Sequence, residues 1–97
     1  LAGLERMLPA LRGRPVYVTL DIDVVDPAFA PGVGTPEPAG ITPLEILEAV
    51  RLLGGLEVVG WDVVEVNPAC DPAGITALLA AKIVREALLT VSRRWGV

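Results

Sequence analysis

The chain has 97 residues, of which 53% are hydrophobic, with a net charge of −4 at pH 7 and a single cysteine. This length suffices for one small domain. No apolar run reaches the roughly 18 to 20 residues of a membrane span, and we see no signal peptide, because no charged segment followed by an apolar one opens the sequence. The acidic balance argues against nucleic acid or an anionic membrane as partner, and the lone cysteine excludes an internal disulfide and fits a reducing cytoplasm.

The first two predicted elements are an amphipathic helix and a strand. Leucines recur at positions 1, 4, 8 and 11, a spacing that places them on one side of a helix, although Pro9 should end or kink it. The apolar, β-branched run Val16–Leu20 then predicts a strand. Because the sequence has a mean hydropathy of +0.58, we expect its strands to be buried on both faces, as in parallel sheets.

Three acidic residues follow this strand and are the first candidates for a functional site. Asp21 and Asp23 are separated by one residue, so an extended strand would direct both carboxylates to the same face. Two carboxylates at the carboxyl end of a parallel strand suit a metal cation, since ligands of open parallel sheets bind at that edge. A D-x-D pair also occurs in helix caps, turns and solvated strand ends. Asp26 precedes a proline, which favours a role in turn formation.

Residues 26–40 form a loop with four prolines and three glycines. This composition predicts tight turns and excludes a regular helix or strand. A flexible linker would carry more serine and charge, so we interpret the segment as an ordered, functional loop. Thr35 lies within it and has a hydroxyl that can hydrogen-bond a ligand, although most loop threonines have no such role.

The next segment carries the clearest helix signals of the sequence. Thr42 fits the N-cap, Pro43 the first helical position and Glu45 the reciprocal contact of a capping box. A Gly-Gly pair ends the predicted helix, which covers residues 41–53. The stripe predicted to face the core consists of Leu44, Leu47 and Val50.

A second apolar strand is predicted over residues 56–66, ended by Asn67 and Pro68. Since a helix lies between the two strands, the three elements form a βαβ unit with parallel strands and a right-handed crossover. Glu65 then lies at the same sheet edge as the two aspartates, where its carboxylate can bind a guanidinium in bidentate fashion. A solvated strand end explains Glu65 equally well. Asp62 lies in the middle of the strand and needs a polar partner if it is buried.

A long helix is predicted from Pro72 to about Arg94, with Asp71 as its cap. Cys70, immediately before it, is expected to be a small buried residue, as free cysteines usually are. The residues predicted for the buried side of the helix are Ile75, Leu78, Leu79, Ile83 and Leu88.

These elements do not complete a hydrophobic core. Two parallel strands with helices leave both edges of the sheet open, and a chain of this length buries too little surface to be stable with ease. We therefore expect either extensive association or, as the favoured interpretation, that the sequence is part of a larger protein.

Two stretches of the sequence resemble a known family. Residues 20–36, LDIDVVDPAFAPGVGTP, are similar to the signature of the ureohydrolases, the arginase and agmatinase superfamily. Residues 62–68, DVVEVNP, resemble a later strand end of the same family. The resemblance covers essentially all 97 residues. Residues 75–78, ITAL, look more like agmatinases than arginases.

The resemblance implies a fold and a chemistry. The fold would be a three-layer α/β/α domain with a parallel sheet, of which residues 1–97 are the C-terminal βαβα portion. The family uses a binuclear manganese centre that activates a bridging hydroxide for attack on a guanidinium carbon, with urea as product. By motif match, Asp21 and Asp23 would be manganese ligands. Glu65 would hold the guanidinium group, and Thr35 would lie in the substrate site. Family members usually form trimers or hexamers and act in polyamine or arginine metabolism.

The sequence departs from the family pattern in several respects. Val33 stands where the family usually has a threonine, and Ala39 where it usually has a glycine, which limits backbone freedom. The chain has no histidine, whereas the family also draws metal ligands from histidines and aspartates on earlier strands. Because two or three carboxylates cannot complete two metal coordination shells, we expect the isolated 97-residue chain to lack ureohydrolase activity.

Other interpretations fit the same residues. Agmatine is the favoured substrate on the strength of residues 75–78 alone, but arginine, guanidinobutyrate and formiminoglutamate are also handled within the superfamily. A strand that ends in D-x-D also suits a phosphotransfer aspartate with magnesium, which would not explain the proline-rich loop. The remaining interpretation is a non-catalytic fragment or assembly module.

Overall fold

The computed structural model describes residues 1–96, which form a βαβ unit flanked by two further helices. In chain order the elements are α1 (Ala2–Leu11), β1 (Pro15–Asp21), α2 (Pro43–Leu53), β2 (Glu57–Val64) and α3 (Ile75–Trp95). The two strands pair in parallel, with α2 in the connection between them, which confirms the predicted unit. None of the helices in residues 1–96 has the length and apolar character of a membrane span.

The sheet packs through one face and exposes the other. In β1, Val18 and Leu20 are buried whereas Tyr17 and Thr19 are exposed, the alternation of a strand with a single packed face. Helices cover the face that carries Val18 and Leu20. The expectation of strands buried on both faces is therefore wrong for the part of the chain that the structure describes.

Asp62 of β2 obtains its polar partners from the neighbouring strand. The Tyr17 hydroxyl donates to Asp62 Oδ2 at 2.9 Å, and the Thr19 hydroxyl donates to Oδ1 at 2.5 Å. Register places Thr19 directly opposite Asp62 and Tyr17 opposite Gly60, so the Thr19 contact is a directly opposed pair and the Tyr17 contact a diagonal one. The polar partners that the sequence required for this mid-strand carboxylate are thus hydroxyl groups of β1.

Helix α1 contacts the sheet through Leu8, its one buried residue, in a small cluster with Val18 and Val58. Pro9 lies inside this helix, which continues beyond it. The proline therefore does not end the helix. The missing N–H and the ring of a proline disturb the turn that precedes it, whereas the following turn still closes through the Arg12 N–H, which donates to the Leu8 carbonyl at 3.2 Å.

Helix α2 begins with the predicted capping box. The Thr42 hydroxyl accepts a hydrogen bond from the Glu45 N–H at 3.2 Å, and the Glu45 carboxylate accepts one from the Thr42 N–H at 3.0 Å. The predicted buried stripe is wrong at Leu44, which is 79% exposed, because it lies on the same side of the helix as the exposed Glu48 and Arg51. The buried residues of α2 are Ile46, Leu47, Ala49 and Val50.

Helix α3 begins later than predicted and buries a different side. Its first residue is Ile75 rather than Pro72, after Gly74 in the left-handed conformation at φ 72°. Among the predicted inward residues, Ile83 is fully buried and Leu79 is half-buried. The other three, Ile75, Leu78 and Leu88, are exposed. The buried positions of the helix are Thr76, Ile83, Ala87 and Thr90.

Close packing of α3 on the end of α2 explains this choice of side. A Cβ atom added to Gly54 would lie 2.5 Å from the Thr90 side chain, so the two elements meet across small residues. Arg94 donates to the Leu56 carbonyl at 3.0 Å and pairs with Glu57 at 3.7 Å. The end of α3 is thereby attached to the beginning of β2.

Candidate functional site

Asp21 and Asp23 lie on a tight turn at the carboxyl end of β1. Asp21 is the last residue of the strand, and Ile22–Val24 form a single turn of 3₁₀ helix. The Asp21 carboxylate caps this turn by accepting a hydrogen bond from the Asp23 N–H at 3.0 Å. The expectation that strand alternation aligns the two aspartates is therefore wrong, because the strand ends at Asp21 and Asp23 lies within the turn. The turn nevertheless keeps the two carboxylates adjacent.

Glu65 belongs to the same group of negative charges. Partial burial of Asp23, its hydrogen bond with Asp21, and the charges of Asp21 and Glu65 together raise the pKa of Asp23 above its ordinary value of 3.8. A raised carboxylate pKa means that the surroundings favour a bound proton or cation over a further negative charge. The structure thus places the three acidic residues that the sequence singled out at the same edge of the sheet, since Asp21 pairs with Val64.

The backbone of Glu65 has an uncommon conformation. Its φ of 76° lies in the left-handed region, which costs a residue with a Cβ atom about 1–2 kcal/mol. Strand β2 ends at Val64, which pairs with Asp21, so Glu65 lies at the predicted edge of the sheet. Backbone strain of this kind persists where surrounding contacts hold it, and it is concentrated at functional sites. Glu65 is exposed at this edge and can meet a ligand.

The proline-rich loop is ordered around the carboxylate of Asp26. Its Oδ1 accepts a hydrogen bond from the Ala28 N–H at 2.8 Å, while Oδ2 accepts from the N–H groups of Ala39 and Gly40 at 2.9 and 3.1 Å. These donors, that of Ala28 above all, lower the pKa of Asp26 below 3.8. One carboxylate thus joins both ends of the loop, as expected of a turn-forming aspartate. Thr35 lies in the exposed part of the loop.

The middle of this loop is attached to the segment that follows β2. The Gly32 carbonyl accepts a hydrogen bond from the Asn67 N–H at 2.8 Å, and the Gly32 N–H donates to the Thr76 hydroxyl at 2.8 Å. The loop that carries Thr35 and the segment that carries Glu65 are therefore joined. The sequence does not identify Gly32 or Thr76 as functional, because only the tertiary fold brings them together.

The acidic group does not by itself make a complete metal centre. Within residues 1–96, no set of three or more Asp, Glu, Cys or His side chains is arranged to hold a metal ion. Asp21 and Asp23 offer the oxygen donors that Mn²⁺ and Mg²⁺ prefer, but two carboxylates fill only part of an octahedral shell. A binuclear centre therefore does not fit within this chain and would require ligands from outside it.

Cys70 contributes neither to this group nor to the core. The short 3₁₀ turn Pro68–Cys70 carries it at the surface, where it is exposed. The expectation of a buried cysteine is wrong because Asn67 caps the turn, its side chain accepting a hydrogen bond from the Ala69 N–H at 3.1 Å. The segment therefore follows the surface instead of entering the core.

Known proteins share both the sequence and the fold of this chain. A sequence model described as the Arginase family matches residues 2–90. An agmatinase from Halalkalibacterium halodurans is 54% identical over 88 residues, which cover 89% of this chain and 30% of that protein. A proclavaminate amidinohydrolase from Streptomyces clavuligerus is 55% identical over 80 residues, which cover 82% of this chain and 26% of that protein.

A solved structure gives the same result for the fold. The crystal structure of a hypothetical agmatinase from Burkholderia thailandensis superimposes with a TM-score of 0.92 and 47% sequence identity over 99% of this chain and 30% of that one. The superposition confirms the predicted arginase-like α/β fold for this part of the domain. The chain spans between 26% and 30% of the length of the two curated relatives.

Proposed function

This chain belongs to the arginase family, and we propose that the protein of which it forms a part hydrolyses a guanidino compound. The observation that carries the proposal is the position of Asp21, Asp23 and Glu65 at one edge of the sheet, where the charge of Glu65 acts on Asp23. The similarity to an agmatinase and to an amidinohydrolase supports the class of reaction.

In this proposal Asp21 and Asp23 supply oxygen ligands to manganese. Their adjacency on the capped turn and the raised pKa of Asp23 support a role in binding a cation. The other ligands of a binuclear centre are proposed to come from outside these 97 residues, since the sequence has no histidine. Manganese, when bound, would supply a metal-activated water as the nucleophile.

Glu65 is proposed to receive the guanidinium group of the substrate. A carboxylate matches a guanidinium with two parallel hydrogen bonds, and the fixed left-handed backbone at φ 76° gives the side chain a defined origin at the sheet edge. Thr35, exposed on the adjoining loop, is proposed to contact the same substrate through its hydroxyl.

Agmatine is the proposed substrate, with putrescine and urea as products. The agmatinase that is 54% identical to this chain supports it. The amidinohydrolase of similar identity supports a second candidate, a guanidino compound with a carboxylate at its far end. Arginine and other guanidino or formimino compounds are further candidate substrates, to be compared with agmatine.

We extend the proposal to the setting of the enzyme. The single, exposed cysteine supports a reducing compartment, the cytoplasm. The exposed face of the sheet and the exposed apolar residues of α3 support burial against further protein, in a larger domain and in a homo-oligomer.

Urea release by the full-length protein tests the proposal. The protein that contains this sequence is loaded with manganese and assayed with agmatine, arginine and guanidinobutyrate. Glu65→Gln should lower kcat/KM for the preferred substrate by about a hundredfold, because the charged partner of the guanidinium is lost. Glu48→Gln, which neutralises an exposed glutamate on α2, is the matched control and should leave kcat/KM unchanged.

Two results would contradict the proposal. Absence of urea from every guanidino compound would remove the proposed reaction class. Equal activities of Glu65→Gln and Glu48→Gln would remove the proposed role of Glu65. We also expect no urea from the isolated 97-residue chain with manganese, and its release there would show that the ligand set is complete after all.

A further inference from the structure

The backbone of Gly32 lies at a buried junction between the proline-rich loop, the segment after β2 and the beginning of α3. Its N–H donates to the Thr76 hydroxyl on α3 at 2.8 Å, and its carbonyl accepts from the Asn67 N–H after β2 at 2.8 Å. Both polar groups of this loop residue are therefore used in long-range contacts. Since a buried polar group without a partner is costly, the junction fixes the position of the loop.

Thr76 is held in place by the carboxylate of Asp71. Thr76 is completely buried and Asp71 is 8% exposed. The carboxylate accepts hydrogen bonds from the Ala77 N–H at 3.0 Å and the Thr76 N–H at 3.1 Å. These contacts, with a further one from the Thr76 hydroxyl, lower the pKa of Asp71. The Thr76 hydroxyl in turn accepts the hydrogen bond of the Gly32 N–H.

The space around this junction admits only a glycine in the loop. A Cβ atom added to Gly32 would lie 2.5 Å from the Cβ of Asp71. That neighbour is held by its own hydrogen bonds to α3 and cannot move aside easily. The loop backbone therefore lies too close to Asp71 for any residue with a Cβ atom at position 32.

We propose that Thr76 is a positioning residue for substrate binding, which sets the separation of Thr35 and Glu65 through the Gly32 peptide. Thr35 lies three residues after Gly32, and Glu65 lies two residues before Asn67. The junction lies between these two arms of the site, whereas Asp21 and Asp23 are held separately on their own capped turn. This inference rests on the proposed function, because it concerns how the same site binds a guanidino substrate.

Two pairs of variants of the full-length enzyme test this role. The first pair is the wild type and Thr76→Val, whose side chains have a similar shape but of which only threonine has a hydroxyl. The second pair is Thr76→Ser, which keeps a hydroxyl, and Thr76→Ala, which has none. In each pair the member without the hydroxyl leaves the Gly32 N–H unpaired, and we expect its KM for the guanidino substrate to rise about tenfold. The kcat should change by less than about twofold, and bound manganese should be unchanged.

A purely structural role would give a different result. Loss of folded protein lowers the concentration of active enzyme and hence the apparent kcat, but it leaves KM unchanged. An unchanged KM in both hydroxyl-free variants would therefore overturn the inference, and so would a Thr76→Ser variant as impaired as Thr76→Ala. Should Thr76→Val not fold, the Ser and Ala pair gives the same comparison. An inactive wild type would instead contradict the proposed function, so the two failures are distinguishable.

Discussion

Replacement of Ala39 by glycine should stabilise the fold, against the usual effect of such a change. Ala39 has a φ of 71°, a conformation that costs a residue with a Cβ atom about 1–2 kcal/mol. A glycine there adds unfolded-state freedom worth about 0.4–1 kcal/mol. The expected net gain in the free energy of unfolding is about 0.5–1 kcal/mol. The Ala39 N–H that donates to Asp26 at 2.9 Å is retained.

Urea unfolding of the 97-residue chain measures this gain. Trp61 packs against the cluster of Leu8, Val18 and Val58 and also against the larger core cluster around Ile22, Val50 and Ile83, so its fluorescence reports loss of the core. Ala73→Gly is the matched control, because Ala73 is exposed and lies outside the left-handed region; it should lose about 0.4–1 kcal/mol. If Ala39→Gly were destabilised by as much as Ala73→Gly, the backbone of this loop would not have the strain that we assign to it.

Two further predictions concern stability. Ile83→Ala should lower the free energy of unfolding by about 3 kcal/mol, because Ile83 is completely buried. Ile75→Ala, on the exposed side of the same helix, should lower it by less than about 1 kcal/mol. Equal losses would contradict our assignment of the buried side of α3. The pKa of Asp71 is lowered below its ordinary value of 3.8, mainly by the hydrogen bond from the Ala77 N–H. The ionised carboxylate therefore contributes its full stabilisation above pH 3.8 and loses it as the pH falls through the lower folded-state pKa. The difference in urea midpoint between wild type and Asp71→Asn should therefore be constant down to about pH 5 and shrink below pH 3.8; a difference that grows on acidification would contradict this sign.

Local chemistry accounts for the features that the sequence predicts correctly. The capping box of Thr42 and Glu45 and the turn at Asp26 each depend on residues close together in the chain. The left-handed conformation of Ala39 accords with the glycine that the family usually has there. Side chains that bond to nearby backbone groups specify caps and turns in almost any context, so such features can be predicted without knowledge of the tertiary fold.

Features that depend on packing could not be predicted in the same way. Apolar periodicity in α3 indicates a leucine-rich inner side, but the helix packs on Gly54 through Thr90 and buries Thr76, Ile83 and Ala87 instead of those leucines. Asp23 lies on a 3₁₀ turn rather than in the strand, and its N–H donates to the Asp21 carboxylate that caps this turn. Apolar periodicity carries no information about which neighbour covers a helix side, and the burial of Val18, Leu20 and Ile22 in alternation does not reveal where the strand ends.

The exposed face of the sheet supports our proposal that this chain is part of a larger protein. Asp62 lies in the middle of a strand on the exposed face of the sheet. If a further layer of protein covered this face, burying an unpaired carboxylate would cost free energy. Its two oxygens already accept hydrogen bonds from Tyr17 and Thr19, so the carboxylate needs little from such a layer. Val59 and Val64 are also exposed on β2. A third layer of the arginase-like fold would bury such apolar surface, and under our proposal the rest of the same domain would also supply the metal ligands beyond Asp21 and Asp23.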